Sequence, residues 1–248
     1  MFGASAHVYD LIYQSFKDYG AESARIAALL KTEQPAARRL LDVACGTGEH
    51  ARHLIAGAFQ VDGIDLDPNL LAIAARKNPT GRFVQADMCS FQLGRTYDVV
   101  LCLFSSIGYA VTLERTTAAL RCFRAHLGPG GLVVVEPWFA PDALTPGRTD
   151  TQTIDQGTLR VTRRSRVEIE GRVSSLTFEY DITENGASSQ ATEIHELGLF
   201  TRAEMEGAFT AAGLTTTYDP VGLSGRGLYL ARGLSLTPSS ADTRPQAP

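Results

Sequence analysis

The chain has 248 residues, of which 44% are hydrophobic, so it can bury one large core and still carry an insertion. Its 23 basic residues are outnumbered by 27 acidic ones, which excludes the basic surface of proteins that bind nucleic acids or anionic membranes. The sequence has neither a signal-peptide pattern nor an apolar run near the roughly 18 residues that cross a bilayer, so we expect a soluble, cytoplasmic protein whose partner is a small molecule.

The first part of the chain is predicted to be helical. Apolar residues recur at helical spacing over residues 5–31, with Gly20 as an interruption, which predicts two short helices. Aromatic residues such as Tyr9 and Tyr13 at this spacing are typical of a core. Because they precede the first strand, they can also form a lid over its carboxyl end, and both interpretations stay open.

Residues 40–50 combine an apolar strand, a glycine-rich turn and the start of a helix. Gly46 and Gly48 let the backbone approach a ligand, although a tight turn alone would also use them. Asp42 and Glu49 flank the glycines, and these carboxylates favour a cationic cofactor such as S-adenosylmethionine over a pyrophosphate. Binding of NAD is the weaker alternative, because Ala51 stands where a dinucleotide motif has its third glycine.

Acidic residues also end the next two predicted strands. Asp65 closes the strand at residues 60–65 and stands 17 residues after Gly48, where a carboxylate can bind both ribose hydroxyls; a solvated aspartate is the alternative. Asp87 closes the strand at residues 82–87 and is predicted to accept from the adenine amino group, with Met88 against the ring. The carboxyl ends of parallel strands meet at one edge, so these carboxylates should share a crevice.

The rest of the chain completes a sheet and adds a second one. Strands are expected at residues 97–104, 132–137, 214–218 and 227–231, with helices at 113–127 and from Thr201 to Gly213. Between them, alternating strands at 159–163, 173–182 and 191–200, with an Asn-Gly turn at 185–186, predict an antiparallel insertion. Its arginines at 160, 163, 164 and 166 form either a solvated face or a surface for an anionic substrate.

These elements predict an α/β fold, namely a doubly wound, mostly parallel seven-stranded sheet with an inserted antiparallel sheet. The expected divisions are a helical lid at 1–35, a cofactor-binding core at 36–149 and 201–234, the insertion at 150–200, and a disordered tail at 235–248. The four cysteines lack the paired spacing of zinc sites, so we predict no metal.

Several motifs resemble those of class I methyltransferases, and more narrowly those of the N,N-dimethyltransferases that act on nucleotide-linked aminodeoxysugars of macrolide antibiotics. The likeness spans about residues 5–233. The broader motifs are Leu-Asp-Val-Ala-Cys-Gly-Thr-Gly at 41–48 and Pro-Gly-Gly at 129–131; the narrower ones are Phe-Ser-Ser-Ile-Gly at 104–108, Glu-Pro-Trp at 136–138 and Ser-Gly-Arg-Gly-Leu at 224–228. Tyr109 departs from the pattern, because relatives often carry histidine there, and the loop after Trp138 differs as well.

The resemblance implies an enzyme that transfers a methyl group from S-adenosylmethionine to a sugar amine. It places Tyr9 and His126 near the methyl-transfer site and Arg226 near the diphosphate of a nucleotide-linked sugar. The predicted cofactor-binding residues are Tyr13, Asp42, Ala44, Gly46, Gly48, Asp65, Leu66, Asp87, Met88 and Phe104, and the predicted substrate-binding residues are Ser105, Ser106, Trp138 and Arg226. Methylation of another amine or of a hydroxyl, a non-catalytic cofactor-binding subunit, and a homodimer remain open.

Overall fold

The computed structural model describes residues 5–233 as a seven-stranded sheet flanked by helices and a separate four-stranded sheet. The predicted tail at 235–248 and the first four residues of the predicted lid lie outside the described residues. The α-helices within that range are α1 (Tyr9–Gln14), α2 (Tyr19–Glu33), α3 (Glu49–Ala56), α4 (Pro68–Lys77), α5 (Leu113–Ala125) and α6 (Arg202–Ala211). The strands of the large sheet are β1 (Arg39–Val43), β2 (Gln60–Asp65), β3 (Phe83–Gln85), β4 (Tyr97–Cys102), β5 (Leu127–Val135), β10 (Leu214–Asp219) and β11 (Leu228–Gly233). The strands of the small sheet are β6 (Thr149–Gln156), β7 (Leu159–Glu170), β8 (Val173–Glu184) and β9 (Ala187–Gly198).

The order of strands in the large sheet is β10-β11-β5-β4-β1-β2-β3. Strand β11 pairs antiparallel with both neighbours, whereas β1 to β5 pair in parallel. The chain moves from β1 outward through β2 to β3 and then returns to β4 on the other side of β1. Ligands bind beside the carboxyl ends of strands at such a reversal, so the topology places a crevice between β1 and β4. The predicted fold class is confirmed.

The strands of the sheet centre are buried on both faces. Adjacent residues point to opposite sides, so Leu41 and Val100 belong to one apolar cluster with Phe123 of α5, while Leu40 and Val99 belong to another. All five side chains are fully buried. Continuous apolar runs, rather than alternating ones, are therefore the sequence mark of these strands.

Two helix starts follow the capping chemistry that their sequences predict. The Thr201 hydroxyl accepts a hydrogen bond from the N–H of Glu204, and the Glu204 carboxylate accepts in return from the N–H of Thr201, which forms a capping box at α6. At α4, Asp67 accepts from Asn69 and Leu70, and Pro68 occupies the first helical position.

The insertion is an antiparallel meander of four strands, one more than the sequence analysis predicted. The missed strand, β6, has the sequence Thr-Asp-Thr-Gln-Thr-Ile-Asp-Gln and lies at the edge of its sheet, so it has no apolar alternation to reveal it. The expected hairpin turn joins β8 to β9, with Asn185 and Gly186 at φ +50° and +82°. Both values lie in the left-handed region that a two-residue hairpin requires.

The N-terminal segment packs on the insertion. Val8 and Ile12 form an apolar cluster with Val161, Phe178 and Tyr180 of the small sheet. The two predicted helices are present, although Gly20 lies in the first turn of α2 and the break falls before it. Among the described residues, no helix has the length and apolar character needed to cross a bilayer.

Candidate active site

A cavity of about 460 Å³ opens beside the carboxyl ends of the central strands, beneath the N-terminal segment and the small sheet. A smaller cavity of about 40 Å³ adjoins it at the glycine turn and is lined by Asp42. The large cavity brings together most of the predicted site residues, which come from seven separate parts of the chain. They are Tyr9, Tyr13, Ala44, Gly46, Asp65, Leu66, Met88, Phe104, Ser106, Trp138 and Arg226.

The glycine turn after β1 has the left-handed backbone that its composition predicts. Ala44, Gly46 and Gly48 have φ of +57°, +54° and +72°. A Cβ on Gly48 would lie 2.7 Å from the amide nitrogen of Asn78, which itself donates to the Gly48 carbonyl. Gly48 therefore shapes the turn and lets α4 come close, while Gly46 is the glycine that lines the cavity.

Two carboxylates at this turn have no cationic partner among the described residues. Asp42 is 2% exposed, and its Oδ2 has no hydrogen-bond partner in the described chain. Burial, with a contribution from Asp65, raises the pKa of Asp42 to about 7. Asp65 accepts from the N–H of Gly46 at 2.8 Å and from that of Asp67 at 2.9 Å, yet burial still raises its pKa above the usual range. A site that holds two such groups favours a positively charged ligand.

The sequence analysis predicted that Glu49, like Asp42, favours a cationic cofactor, but Glu49 does not contribute to the preference for a positively charged ligand. Its carboxylate pairs with Lys77 at 2.6 Å and with Arg52 at 2.9 Å, so its charge is already balanced. Lys77 also pairs with Asp10 of α1, and the Thr47 hydroxyl donates to that same carboxylate. These contacts attach α1, which carries Tyr9 and Tyr13, to the glycine turn.

The loop after β4 is held in an unusual conformation by the neighbouring strand end. Phe104 and Ser105 have φ of +52° and +61°, in the left-handed region that these residues rarely adopt. The Phe104 N–H donates to the fully buried Glu136 at 2.7 Å, and the Ser105 hydroxyl donates to the Pro137 carbonyl at 2.7 Å. Ser105 is thus buried and outside the cavity lining, contrary to its prediction as a substrate contact, while Ser106 does line it.

Arg226 also lines the cavity, and three aromatic rings surround its guanidinium. The centroids of Phe104, Trp138 and Phe139 are 5.5, 5.9 and 5.7 Å away. Its Nη2 lies 3.6 Å from Glu136, and its Nε is buried with no hydrogen-bond partner in the described chain. Arg226 therefore has donor capacity that the protein does not use.

The placement of His126 contradicts its predicted role at the methyl-transfer site. It ends α5 and directly precedes β5, at the amino edge of the sheet, whereas the cavity lies at the carboxyl edge. Its Nε2 accepts from the N–H of Leu93 at 3.0 Å, its Nδ1 donates to the Cys122 carbonyl at 2.8 Å, and Phe91 stacks on its ring. The motif that contains His126 lies at the amino end of β5, away from the cavity, so His126 has a structural role.

Asp87 is also outside the cavity lining, although its neighbours Ala86 and Met88 belong to it. Its carboxylate accepts from the Cys89 N–H at 2.8 Å and pairs with Arg115 at 3.0 Å. These bonds hold the pKa of Asp87 below its usual range against the effect of burial. The structure therefore shows Asp87 shaping the turn that presents Met88.

The cavity lining also contains residues that were not predicted as site residues, among them Tyr109, Arg163 and His195. A signal was present for two of them. Arg163 and His195 stand in alternating strands at positions that share a face with buried apolar neighbours such as Val161 and Leu197. A charged or titratable residue on the inward face of an amphipathic strand has to meet a partner or a ligand. By contrast, Arg160, Arg164 and Arg166 are exposed, as the solvated-face interpretation expects.

Comparison with known proteins agrees with this geometry. Residues 40–131 match the methyltransferase domain family. A dTDP-3-amino-3,6-dideoxy-alpha-D-glucopyranose N,N-dimethyltransferase from Streptomyces fradiae is 44% identical over 92% of this chain and 90% of its own length. The crystal structure of DesVI from Streptomyces venezuelae superimposes with a TM-score of 0.87 at 39% identity, covering 92% of this chain and 98% of that one. The chain belongs to the family of aminosugar N,N-dimethyltransferases.

This methyltransferase uses S-adenosylmethionine. A structure of CalS10, an amino pentose methyltransferase from Micromonospora echinaspora with that compound bound, is 35% identical and has a TM-score of 0.81, covering 90% of this chain and 95% of its own. The residues at the glycine turn fit the cofactor, because the unpartnered Oδ2 of Asp42 can accept from its ammonium. Asp65, at the end of the adjacent strand β2, lines the cavity, where it can accept from ribose hydroxyls.

Proposed function

We propose that this methyltransferase dimethylates the amino group of a dTDP-linked aminodeoxysugar in antibiotic-type secondary metabolism. The observation that carries the proposal is Arg226, a guanidinium that lines the cavity with a buried, unpartnered Nε. Guanidinium presents paired donors that match phosphate oxygens, and a nucleotide-linked sugar brings two phosphates. The relatives whose names specify dTDP-linked aminosugars support the same substrate class.

Other features of the cavity support a substrate that has both a charged and a planar part. Arg163 adds a second guanidinium, which lies over the rings of Tyr13, Phe16 and Phe178. Phe16 is 53% exposed and Ile194 is 60% exposed, and both line the cavity. Exposed apolar side chains beside an anion-binding group are suited to a nucleobase, which stacks on such surfaces.

The chemistry needs little from the protein beyond positioning. When bound, S-adenosylmethionine supplies an electrophilic methyl group on a sulfonium. The residues of the chain have to hold the acceptor nitrogen in line with that group and exclude water, which is worth several orders of magnitude in rate. We assign Asp42 and Asp65 to the cofactor, and Arg226 and Trp138 to the substrate. Tyr9, which lines both cavities, is assigned to the junction where the methyl group passes.

The test is a comparison of acceptors with radiolabelled methyl donor and purified enzyme. The panel contains a dTDP-linked 3-aminosugar, the same sugar with a hydroxyl in place of the amine, and the free aminosugar without its nucleotide. We expect two methyl groups on the first compound and far slower transfer to the other two. Faster transfer to the hydroxyl sugar would establish O-methylation instead, and no transfer to any acceptor would favour a non-catalytic subunit. A cytoplasmic location and a homodimer stay predictions.

A further inference from the structure

Three titratable side chains stand in a row at one wall of the large cavity. The Tyr109 hydroxyl lies 3.0 Å from Nδ1 of His195, and Nε2 of His195 lies 3.6 Å from Oε2 of Glu193. Tyr109 belongs to the 3₁₀ helix at Ser106–Ala110, which follows β4, while the other two residues share one face of β9. The row therefore connects the loop after β4 of the large sheet to strand β9 of the insertion.

The row runs from the cavity into the protein interior. Tyr109 and His195 line the cavity, whereas Glu193 lies behind them and is 5% exposed. Phe178 packs on the His195 ring, with the ring centroids 5.3 Å apart. The Glu193 carboxylate also accepts from the N–H and the hydroxyl of Ser5, at 3.1 and 3.0 Å, which ties the N-terminal segment to it. The orientation of His195 is thus set from both sides.

The charge states of the two ends determine which way the hydrogen bonds run. Burial raises the pKa of Tyr109 well above its usual range, so the phenol keeps its proton. Burial acts the same way on Glu193, but the nearby His195 imidazole and the hydrogen bonds from Ser5 hold the pKa of this carboxyl below its usual range. We therefore assign Tyr109 as the donor to Nδ1, with the single N–H proton of the imidazole on Nε2, facing Glu193. Both lone pairs of the Tyr109 oxygen then remain able to accept.

We propose that Tyr109, His195 and Glu193 form a proton relay that converts the bound substrate from an ammonium to an amine. This proposal rests on the proposed function, because only an amine acceptor needs such a step. An ammonium has no lone pair and cannot attack a methyl group. Its N–H donates to the Tyr109 oxygen, and as that proton moves to the oxygen, the phenolic proton moves to Nδ1. The nitrogen keeps the electron pair of the broken N–H bond.

The relay leaves a neutral amine, a neutral phenol and an imidazolium beside the Glu193 carboxylate. A base held in place by a carboxylate is the arrangement that other enzymes use to take a proton from a hydroxyl or an amine. The imidazolium gives its proton to solvent before the next transfer, so a second methylation of the same nitrogen can use the same path.

The groups that face the relay favour a positive charge there. Four ionisable groups interact electrostatically with Tyr109, and each of them is neutral or negative near pH 7. They are Tyr9 and Tyr13 of α1, Asp65 of β2 and Tyr180 of β8. Two arginines that line the same cavity, Arg163 and Arg226, are positively charged and disfavour a further positive charge there. Asp65 and Glu193 balance them, so an ammonium and then an imidazolium can be accommodated.

The first test reads the His195 ring directly, without the methyl donor. In enzyme with isotope-labelled histidine, adding the dTDP-linked aminosugar should move the His195 ring nitrogen resonances toward those of an imidazolium. The hydroxyl sugar nucleotide should not move them, and His126 serves as an internal control in the same spectra; a His195→Gln variant assigns the signal. No shift with the aminosugar would overturn the relay. A shift that persists in Tyr109→Phe would place the amine on His195 itself and overturn the path through Tyr109.

The second test is the pH profile of Tyr109→Phe, which keeps the ring and removes the hydroxyl. We expect kcat to fall about 10²-fold near pH 7, the scale of losing a general base. The deficit should shrink as pH rises, because more of the substrate then binds as the free amine. The matched control is Tyr97→Phe, which removes a hydroxyl bonded to Asp62 at the amino edge of the sheet and should retain the wild-type profile.

A loss of kcat that is the same at every pH would reduce Tyr109 to a packing role. This outcome differs from a failure of the proposed function. If the wild-type enzyme dimethylates the aminosugar nucleotide while Tyr109→Phe behaves as wild type, the relay is wrong and the function stands. If the wild type transfers nothing to that substrate, the function itself fails.

Discussion

The Asp65 carboxylate at the end of β2 accepts a hydrogen bond from the backbone N–H of Gly46 in the turn after β1, at 2.8 Å. Its other oxygen accepts from the N–H of Asp67 at 2.9 Å. One side chain thus links the glycine turn to the loop after the neighbouring strand. Because Asp65 lines the cavity as well, it connects the shape of the turn to the ribose position.

Replacing Asp65 with alanine is expected to weaken binding of S-adenosylhomocysteine by about 1–3 kcal/mol, since hydrogen bonds to a charged acceptor are lost. Titration calorimetry measures the change. Asp62→Asn is the matched control, because Asp62 is on the same strand but pairs with Arg95 and Tyr97 at its amino end. Unchanged affinity in Asp65→Ala, or tighter binding of NADH than of S-adenosylhomocysteine by the wild type, would refute the assignment.

Asp42 is expected to make cofactor binding depend on pH. Its pKa of about 7 in the free protein means that the carboxylate needed for an ammonium is only partly formed at neutral pH. Affinity for S-adenosylmethionine should therefore fall as pH drops below about 7. Asp42→Asn should bind weakly at every pH, and calorimetry between pH 5.5 and 8.5 distinguishes the two proteins. A wild-type affinity that is flat over this range would contradict the role of Asp42.

The same shift predicts a stability gain in Asp42→Asn without ligand. A folded-state pKa above the ordinary value of 3.8 means that the folded protein holds the proton longer than the unfolded chain, so Asp42 destabilises the fold increasingly as pH rises from about 4 to about 7. The gain in the free energy of unfolding should be about 2–3 kcal/mol larger at pH 8 than at pH 5. Denaturant unfolding measures it, with the exposed Asp155→Asn as a control that shows no such difference.

His126→Ala is expected to lower stability and leave catalysis intact. The change leaves the Leu93 N–H without its acceptor and removes the ring that stacks on Phe91. The free energy of unfolding should fall by about 1–3 kcal/mol, while kcat and KM of the folded enzyme at 20 °C or below stay at wild-type values. A large fall in kcat with unchanged stability would restore the catalytic role that the family-like motif implied.

Arg226→Lys is expected to raise the KM for the dTDP-linked sugar about tenfold, because an ammonium cannot copy the paired donors of guanidinium. The KM for the free aminosugar, which lacks phosphates, should not change. Lysine is the sharper choice than alanine, since Arg226→Ala would leave the fully buried Glu136 without its cation. Arg232→Lys is the control, because Arg232 pairs with Glu33 and does not line the cavity. Equal losses on both substrates would contradict phosphate binding by Arg226.

The sequence by itself determined the large sheet and the cofactor turn. Buried parallel strands need continuous apolar runs, glycines are needed where φ is positive, and strand-end carboxylates must meet when strands are parallel. These local rules predicted that Gly46, Asp42 and Asp65 lie together, and in the structure they line the two adjoining cavities. They also located the hairpin at 185–186, because the turn type dictates its residues.

Only the tertiary structure decided which titratable groups share a wall of the cavity. Tyr109 and His195 are 86 residues apart, and nothing local requires the insertion to fold back on the loop after β4. His126 looked catalytic in its motif but lies at the amino edge of the sheet, while Glu49 looked free but is paired with Lys77 from α4. Which charges are paired, and which remain for a ligand, depends on long-range packing that no short pattern encodes.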